Sequence, residues 1–336
     1  MKDTNPQPPE EPEEAVAATE ATDTPDAVEA TEPAEATEAT QRPGIPAVYW
    51  VITVLLALLA GLGGYVLGTN HGEEKALASV ESAVNSDDPQ NPNAPARSEQ
   101  EDQKLAKKAK PGKGDKQAKA QADGTYNAQI HGPGAPIKSA DDVLNVHRRD
   151  AEDPFAIGAV DAPVVISEFS DFECPFCARW ANATEPTIMK NYVDKGLVRL
   201  EWNDMPVNGE NAVAGAKAGR AAAEQGKFFE FKKALYTASK DKTGHPNYGF
   251  DDFVRFAEEA GVPDMEKFKA DAQSDKYDQT LDESRAYAAG IGISGTPGFF
   301  IGKTYVAGAQ ATDMFEKVIT QELARVGAGE VEVPKK

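Results

Sequence analysis

A chain of 336 residues with 55 acidic and 35 basic side chains, a net charge of −20 at pH 7, has no electrostatic basis for holding nucleic acid, because phosphates would be repelled. Two cysteines and four histidines (His71, His131, His147 and His245), with no spaced pair among the histidines, offer too few donors for a structural zinc site. The length admits one to three domains, but the composition is too uneven for the whole chain to be globular.

Residues 1–44 hold twelve acids against Lys2 and Arg42 and contain no aromatic residue. So little apolar surface cannot offset the entropy of ordering, which predicts a disordered acidic tail. Ala47 to Leu67 is an uncharged apolar run of 21 residues. At about 1.5 Å per residue it can cross a hydrocarbon core of about 30 Å. Tyr49, Trp50 and Tyr65 lie near its ends, as interfacial aromatics do, and Gly61, Gly63 and Gly64 are tolerated in membrane helices. A buried core helix of this length would carry some polar residues, and a signal peptide would have a short basic leader. The expectation is an uncleaved transmembrane helix over 45–68. Arg42 on one side and Lys75 on the other do not orient it.

Residues 69–140 are rich in Asn, Pro, Ala, Gln, Lys and Gly, with seven lysines between Lys104 and Lys119. These form either a basic patch for an anionic surface or a solvated flexible tether broken by Pro111, Gly112 and Gly114; the tether is the expectation. A folded domain is predicted over 141–327, followed by a C-terminal tail over 328–336. Pro163–Phe169 reads as a buried strand, Pro175 to about Lys195 as a helix opened by a proline in its first turn, and Leu197–Trp202 as a second strand. That succession is a βαβ unit with parallel strands. Helices are predicted over 211–225, 227–238, 250–260 and 265–289, forming an insertion over about 208–290. Gly298–Ile301 and Thr304–Ala307 then read as a hairpin turning at Gly302-Lys303. A last helix starts at Asp313, with Glu316 completing a capping box and Phe315, Ile319, Leu323 and Val326 as its apolar stripe.

Both cysteines lie in one stretch, EFSDFECPFCARW, residues 168–180. Unpaired N–H groups and the helix dipole stabilise a thiolate at the first position of such a motif, and the second sulfur, one turn on, can resolve a mixed disulfide. This makes Cys174 an exposed nucleophile and Cys177 its buried partner. A purely structural disulfide is the competing reading, although it closes too small a loop to contribute much stability. Thr296-Pro297, at the start of the third strand, is either a proline loop facing this motif or an ordinary trans turn. Glu168 stands among the apolar residues of the first strand, where desolvation would favour its protonated form, or else it faces solvent at an edge.

The segments EFSDFECPFCARW, GRAAAEQGKFFEFKKALY and GISGTPGFFIG resemble the DsbA-like thiol:disulfide oxidoreductases in their membrane-anchored form, over roughly residues 145–327. The resemblance implies an α/β thioredoxin fold interrupted by a helical domain. It implies an extracytoplasmic catalytic domain that introduces disulfides into exported polypeptides, with the N-terminus in the cytoplasm. It assigns Cys174 as nucleophile, Cys177 as resolving thiol, Pro297 as the cis-proline and Glu168 as a buried acid that relays protons. Phe176, Trp180 and Phe299, with Thr296, would form an apolar substrate rim, whereas Trp202 reads as core. No metal or cofactor is implied beyond a redox-active Cys174–Cys177 disulfide. A membrane quinone-linked partner of the DsbB or VKOR type would restore that disulfide. Strongly oxidising members often carry histidine between the cysteines. Here Pro175-Phe176 takes that place and Glu173 adjoins Cys174, which predicts a less depressed Cys174 pKa. A reductase or isomerase of the same fold, and a non-catalytic module that binds unfolded peptide, are the rival readings.

Overall fold

Seven consecutive residues of strand β2 (Val164–Ser170) are buried, and a strand covered on both faces has to lie inside a sheet. The computed structural model describes residues 97–333 and places β2 at the centre of five strands. Its parallel neighbour is β3 (Val198–Asp204), pairing Glu168 with Trp202, as the βαβ spacing implies. On its other side β4 (Gly298–Ile301) runs antiparallel and pairs Glu168 with Phe299. A hairpin leads from β4 to β5 (Thr304–Ala307), and a two-residue strand, β1 (Ala156–Ile157), pairs antiparallel with β3 at the opposite edge. The two-residue period of β2 sends Val164 and Ile166 into a core with Trp180, Phe315 and Ile319, and Phe169 into another with Phe300 and Ile291.

The helices differ from expectation where side chains interrupt the backbone ladder. In place of one helix over 175–195 there are α2 (Pro175–Ala183), α3 (Glu185–Ile188) and a wide turn over Met189–Val193. Pro186 has no N–H to continue the ladder of α2, so the chain re-enters at Thr184. The insertion consists of α4 (Glu210–Glu224), α5 (Phe228–Ser239), α6 (Phe250–Glu259), α7 (Met265–Gln273) and α8 (Asp278–Gly290). The single helix predicted over 265–289 is thus two, because Ser274 is extended and its hydroxyl binds the Asp271 carbonyl at 2.8 Å. The last helix, α9 (Thr312–Ala328), buries Phe315, Ile319 and Leu323 as its stripe predicts. The capping box predicted at its start does not form. Asp313 binds the Met314 N–H, and Glu316 accepts from Asn191 at 3.2 Å.

The flexible tether is corrected over its described part, residues 97–140. The first helix, α1 (Glu99–Ala106), capped by Ser98, packs on α9 so closely that a Cβ at Gly327 would collide with the Leu105 carbonyl. Further on, Gly112 N–H donates to Gly196 O at 2.8 Å, and the N–H groups of Lys113 and Gly114 share the Asp161 carboxylate at 2.8 and 2.7 Å. Tyr126 N–H then reaches Glu224 O, and the Arg220 guanidinium donates to Ala128 O at 2.6 Å. A 3-10 segment of about two turns, Ala140–Val146, buries Val143 and Val146 before β1. The folded unit therefore begins well before Asp141. Backbone hydrogen bonds and small buried residues such as Ala109 and Ala128 hold this segment, a signal that hydrophobic composition does not carry.

The acidic tail over 1–44, the membrane helix over 45–68 and the start of the tether lie outside the described residues. Among those described, no helix is long and apolar enough to cross a membrane.

Candidate active site

The cysteines are positioned by the turn that leaves β2. Asp171 is buried there. Its carboxylate accepts from the N–H groups of Glu173 (2.8 Å), Val207 (2.8 Å) and Asn208 (3.0 Å), tying this turn to the loop after β3. Cys174 follows in extended conformation as the N-cap of α2, and Pro175 supplies the first helical residue. The Cys177 N–H donates to Cys174 Sγ at 3.3 Å, and Cys174 Sγ lies 3.3 Å from the Thr296 carbonyl as its donor. The Thr296–Pro297 peptide is cis, and Pro297 is buried with its carbonyl held by the Gly308 N–H. Both cysteines are free thiols.

Electrostatics separate the two sulfurs. The hydrogen bond from the Cys177 thiol, working against the cost of burial and aided by the Thr296 side chain and the N–H groups of Cys177 and Phe176, brings the Cys174 thiol down to about 6. Burial, then the hydrogen bond and charge of Cys174, push Cys177 well above the ordinary thiol range. At neutral pH the pair holds one thiolate and one thiol. The alkylation rate of Cys174 with iodoacetamide is therefore expected to rise through a midpoint near pH 6. In Cys177→Ala the midpoint should move upward, since its foremost donor is gone; an unmoved midpoint would assign the thiolate to the backbone alone.

Several expectations are corrected. Cys174, expected to be exposed, is 4% exposed because the Thr296 loop lies against its sulfur. Trp180 and Phe299 are not rim residues. Both are fully buried and pack with Phe315, their ring centroids 4.3 to 5.0 Å apart. Phe176 alone of that trio reaches the surface, 53% exposed, with the Arg179 guanidinium 4.9 Å from its ring. Val207, half exposed on the loop tied to Asp171, adds an apolar surface that the sequence reading missed. Glu173 does not confront the thiolate. Its carboxylate accepts from the N–H groups of Asn247 (2.9 Å) and Tyr248 (3.1 Å), and its carbonyl accepts from His245 Nδ1 at 2.8 Å, if that nitrogen carries the proton. Trp202 is in the core as expected, stacked on Phe172 at 5.0 Å.

Glu168, on β2 ahead of the turn that carries the thiols, is fully buried, but it is not alone among apolar residues. Lys232, from α5, places its ammonium 2.9 Å from Glu168 and 3.0 Å from Glu185. Burial opposes the lysine's charge, yet the two carboxylates outweigh it and hold the group above the ordinary lysine range. Four residues on, the Tyr236 hydroxyl donates to the Asp171 carbonyl at 3.0 Å and lies 3.4 Å from the Ser170 hydroxyl. One signal could have found Lys232. It occupies a place on the buried stripe Phe228, Phe231, Leu235 and Ser239, where an aliphatic residue would ordinarily stand.

A thiolate at a helix start and a protonated thiol one turn in form an arrangement able to exchange disulfides. A family model described as thioredoxin matches residues 150–321, half of the chain, and one described as the DsbA N-terminal domain matches residues 78–146. Over 177 residues the chain is 30% identical to a "Probable disulfide bond formation protein D" of Bacillus cereus, a span of 51% of this chain and 79% of that protein. A stretch of 146 residues, 43% of the chain, is 32% identical to Na(+)/H(+) antiporter NhaA 3 of Salinispora tropica and covers 21% of that antiporter. Among solved structures, oxidised BdbD from Bacillus subtilis superposes with a TM-score of 0.47 at 21% identity, covering 50% of this chain and 92% of that one.

Proposed function

This chain belongs to the DsbA-like, thioredoxin-fold family of thiol:disulfide oxidoreductases, and from that premise we propose that it donates disulfides to exported proteins at Cys174-Pro175-Phe176-Cys177. The observation that carries the reading is the asymmetry of the two sulfurs, one brought down to about 6 and the other held well above its ordinary range. A reduced form that keeps a stable thiolate is a good leaving state, which makes the oxidised form a willing donor.

In the proposed cycle a substrate thiolate attacks Cys174 Sγ. The Cys174–Cys177 bond breaks, a mixed disulfide forms and Cys177 leaves, taking up a proton relayed from Glu168. A second substrate thiolate then attacks the substrate sulfur of the mixed disulfide, and Cys174 departs as the stabilised thiolate. The Thr296 backbone beside Cys174 and the exposed Phe176 and Val207 are the surfaces for the substrate peptide. The apolar run at 47–67 would anchor the domain on the extracytoplasmic side with the N-terminus in the cytoplasm, where redox chemistry of this direction requires it. A membrane quinone-linked oxidase of the DsbB or VKOR type would take the electrons.

Equilibration of the chain with glutathione buffers tests this. A thiol near 6 lies between thioredoxin's, about 7, and DsbA's, about 3.5, so the potential should fall between about −270 mV and about −120 mV. A value at or below the thioredoxin figure would make the oxidised protein a poor donor and turn the reading to a reductase.

A further inference from the structure

The helical insertion reaches the buried thiol through one face of α5, and that face carries charge. Lys232 Nζ bridges Glu168 and Glu185, and the two acids differ in access: the side chain of Glu168 is wholly buried while that of Glu185 is 15% exposed. Between α2–α3 and α5 lies a cavity of about 370 Å³ walled by Asn182, Glu185, Met189, Lys232, Tyr236 and Thr237. It is open enough to admit water and polar enough to hold it. On the inner side, Glu168 Oε1 is buried without a hydrogen-bond partner among the described residues, so one lone pair remains free for an incoming or departing proton. Cys177 itself has no exposure, and every proton it gains or loses must pass through the protein.

We propose that Glu185 and Lys232 form the solvent end of a proton route, Glu185–Lys232–Glu168, through which the cavity serves Cys177. This rests on the assignment of Glu168 as the acid that serves that thiol. When the Cys174–Cys177 bond breaks, its electron pair goes to Cys177 Sγ. The Lys232 ammonium passes a proton to the Glu168 carboxylate, which hands it on to Cys177 Sγ, and Lys232 recovers one from cavity water by way of the Glu185 carboxylate. Lys232 is an ammonium before and after, and the net movement is one proton inward. Reoxidation of the pair runs the same route outward. Moving the proton in short steps past a fixed ammonium avoids leaving an unpaired thiolate or carboxylate in a dry interior. Glu185 and Lys232 act through Glu168 and are positioning residues in this scheme.

The test mixes the reduced full-length chain with excess glutathione disulfide, quenches in acid and follows masses. Mixed-disulfide formation reports attack by Cys174, and its decay reports closure by Cys177. Glu185→Gln is expected to slow closure about tenfold, a modest share of what general acid–base assistance contributes, while attack changes less than about twofold. Thr237→Trp, which narrows the mouth of the cavity without touching a charge, should also slow closure. Formate, small enough for the cavity, should restore closure in Glu185→Ala, a rescue that a merely structural role would not show. Normal closure in Glu185→Gln and Thr237→Trp beside slow closure in Glu168→Gln would overturn the route and leave Glu168 in its role. Normal closure in all three would overturn both assignments. Slow closure that formate does not rescue would make Glu185 structural and overturn the route.

Discussion

Cys174→Ser is expected to lose disulfide exchange by on the order of 10³-fold or more, the scale seen when a covalent nucleophile is removed. The hydroxyl has no accessible anion at neutral pH, so neither the helix start nor the donors around the sulfur can activate it. Cys177→Ser should behave differently. Cys174 would still attack a disulfide, but the mixed disulfide would persist for want of a resolving thiol and could be trapped and identified from cell extracts. The pair of variants separates catalysis from mere peptide binding, because a binding module would keep its affinity in both. Measured turnover in Cys174→Ser comparable with the parent chain would remove the assignment of that residue altogether.

Glu201→Ala is expected to destabilise the fold by about 3–5 kcal/mol at pH 7, because it strands buried cations. Glu201 lies on the face of the sheet opposite Glu168, fully buried. It accepts from the N–H groups of Arg148 and Arg149 at 2.8 Å each and from Arg199 Nε at 2.9 Å. Burial opposes its charge, but Arg148, Arg199 and His147 outweigh it and hold the carboxyl down at about 2. His147 bridges the Ser167 hydroxyl and the Gly302 carbonyl, and burial, opposed mainly by Glu201, takes it down to about 4.

Both shifts lie below the unfolded values, about 6.5 for histidine and about 4.3 for glutamate, so the unfolded chain binds protons first as pH falls. The histidine contribution is fully present above about 6.5 and is lost as pH drops toward 4. The glutamate contribution is present above about 4.3 and is lost as pH falls through 2. Urea unfolding of the oxidised chain, in which neither cysteine titrates, should therefore give a stability that declines from about pH 6.5 downward. His147→Gln should flatten the upper part of that decline. An unchanged slope between pH 6.5 and 4 would show that another group titrates there.

Much of the site was legible because it is local. The spacing of Cys174 and Cys177, the proline after the first of them, the β-branched run that opens Pro163–Phe169 and the turn at Gly302-Lys303 each depend on neighbours within a few positions, and backbone geometry acts on that range. The parallel pairing of β2 and β3 follows equally from a short strand–helix–strand succession. What tertiary structure decided involves partners far apart in sequence. Lys232 meets Glu168 across 64 positions, Glu173 meets Tyr248 across 75, and Cys174 meets the Thr296 carbonyl across 122. Trp180 and Phe299 look like rim residues when read locally and become core only when α9 closes over them with Phe315. The lysine-rich segment looks solvated by composition, yet its backbone N–H groups find Asp161 and Gly196. Sequence pattern reports how each element prefers to bend and which face is apolar. Burial of a charge, and the partner that makes it tolerable, exist only once separate elements have packed against one another.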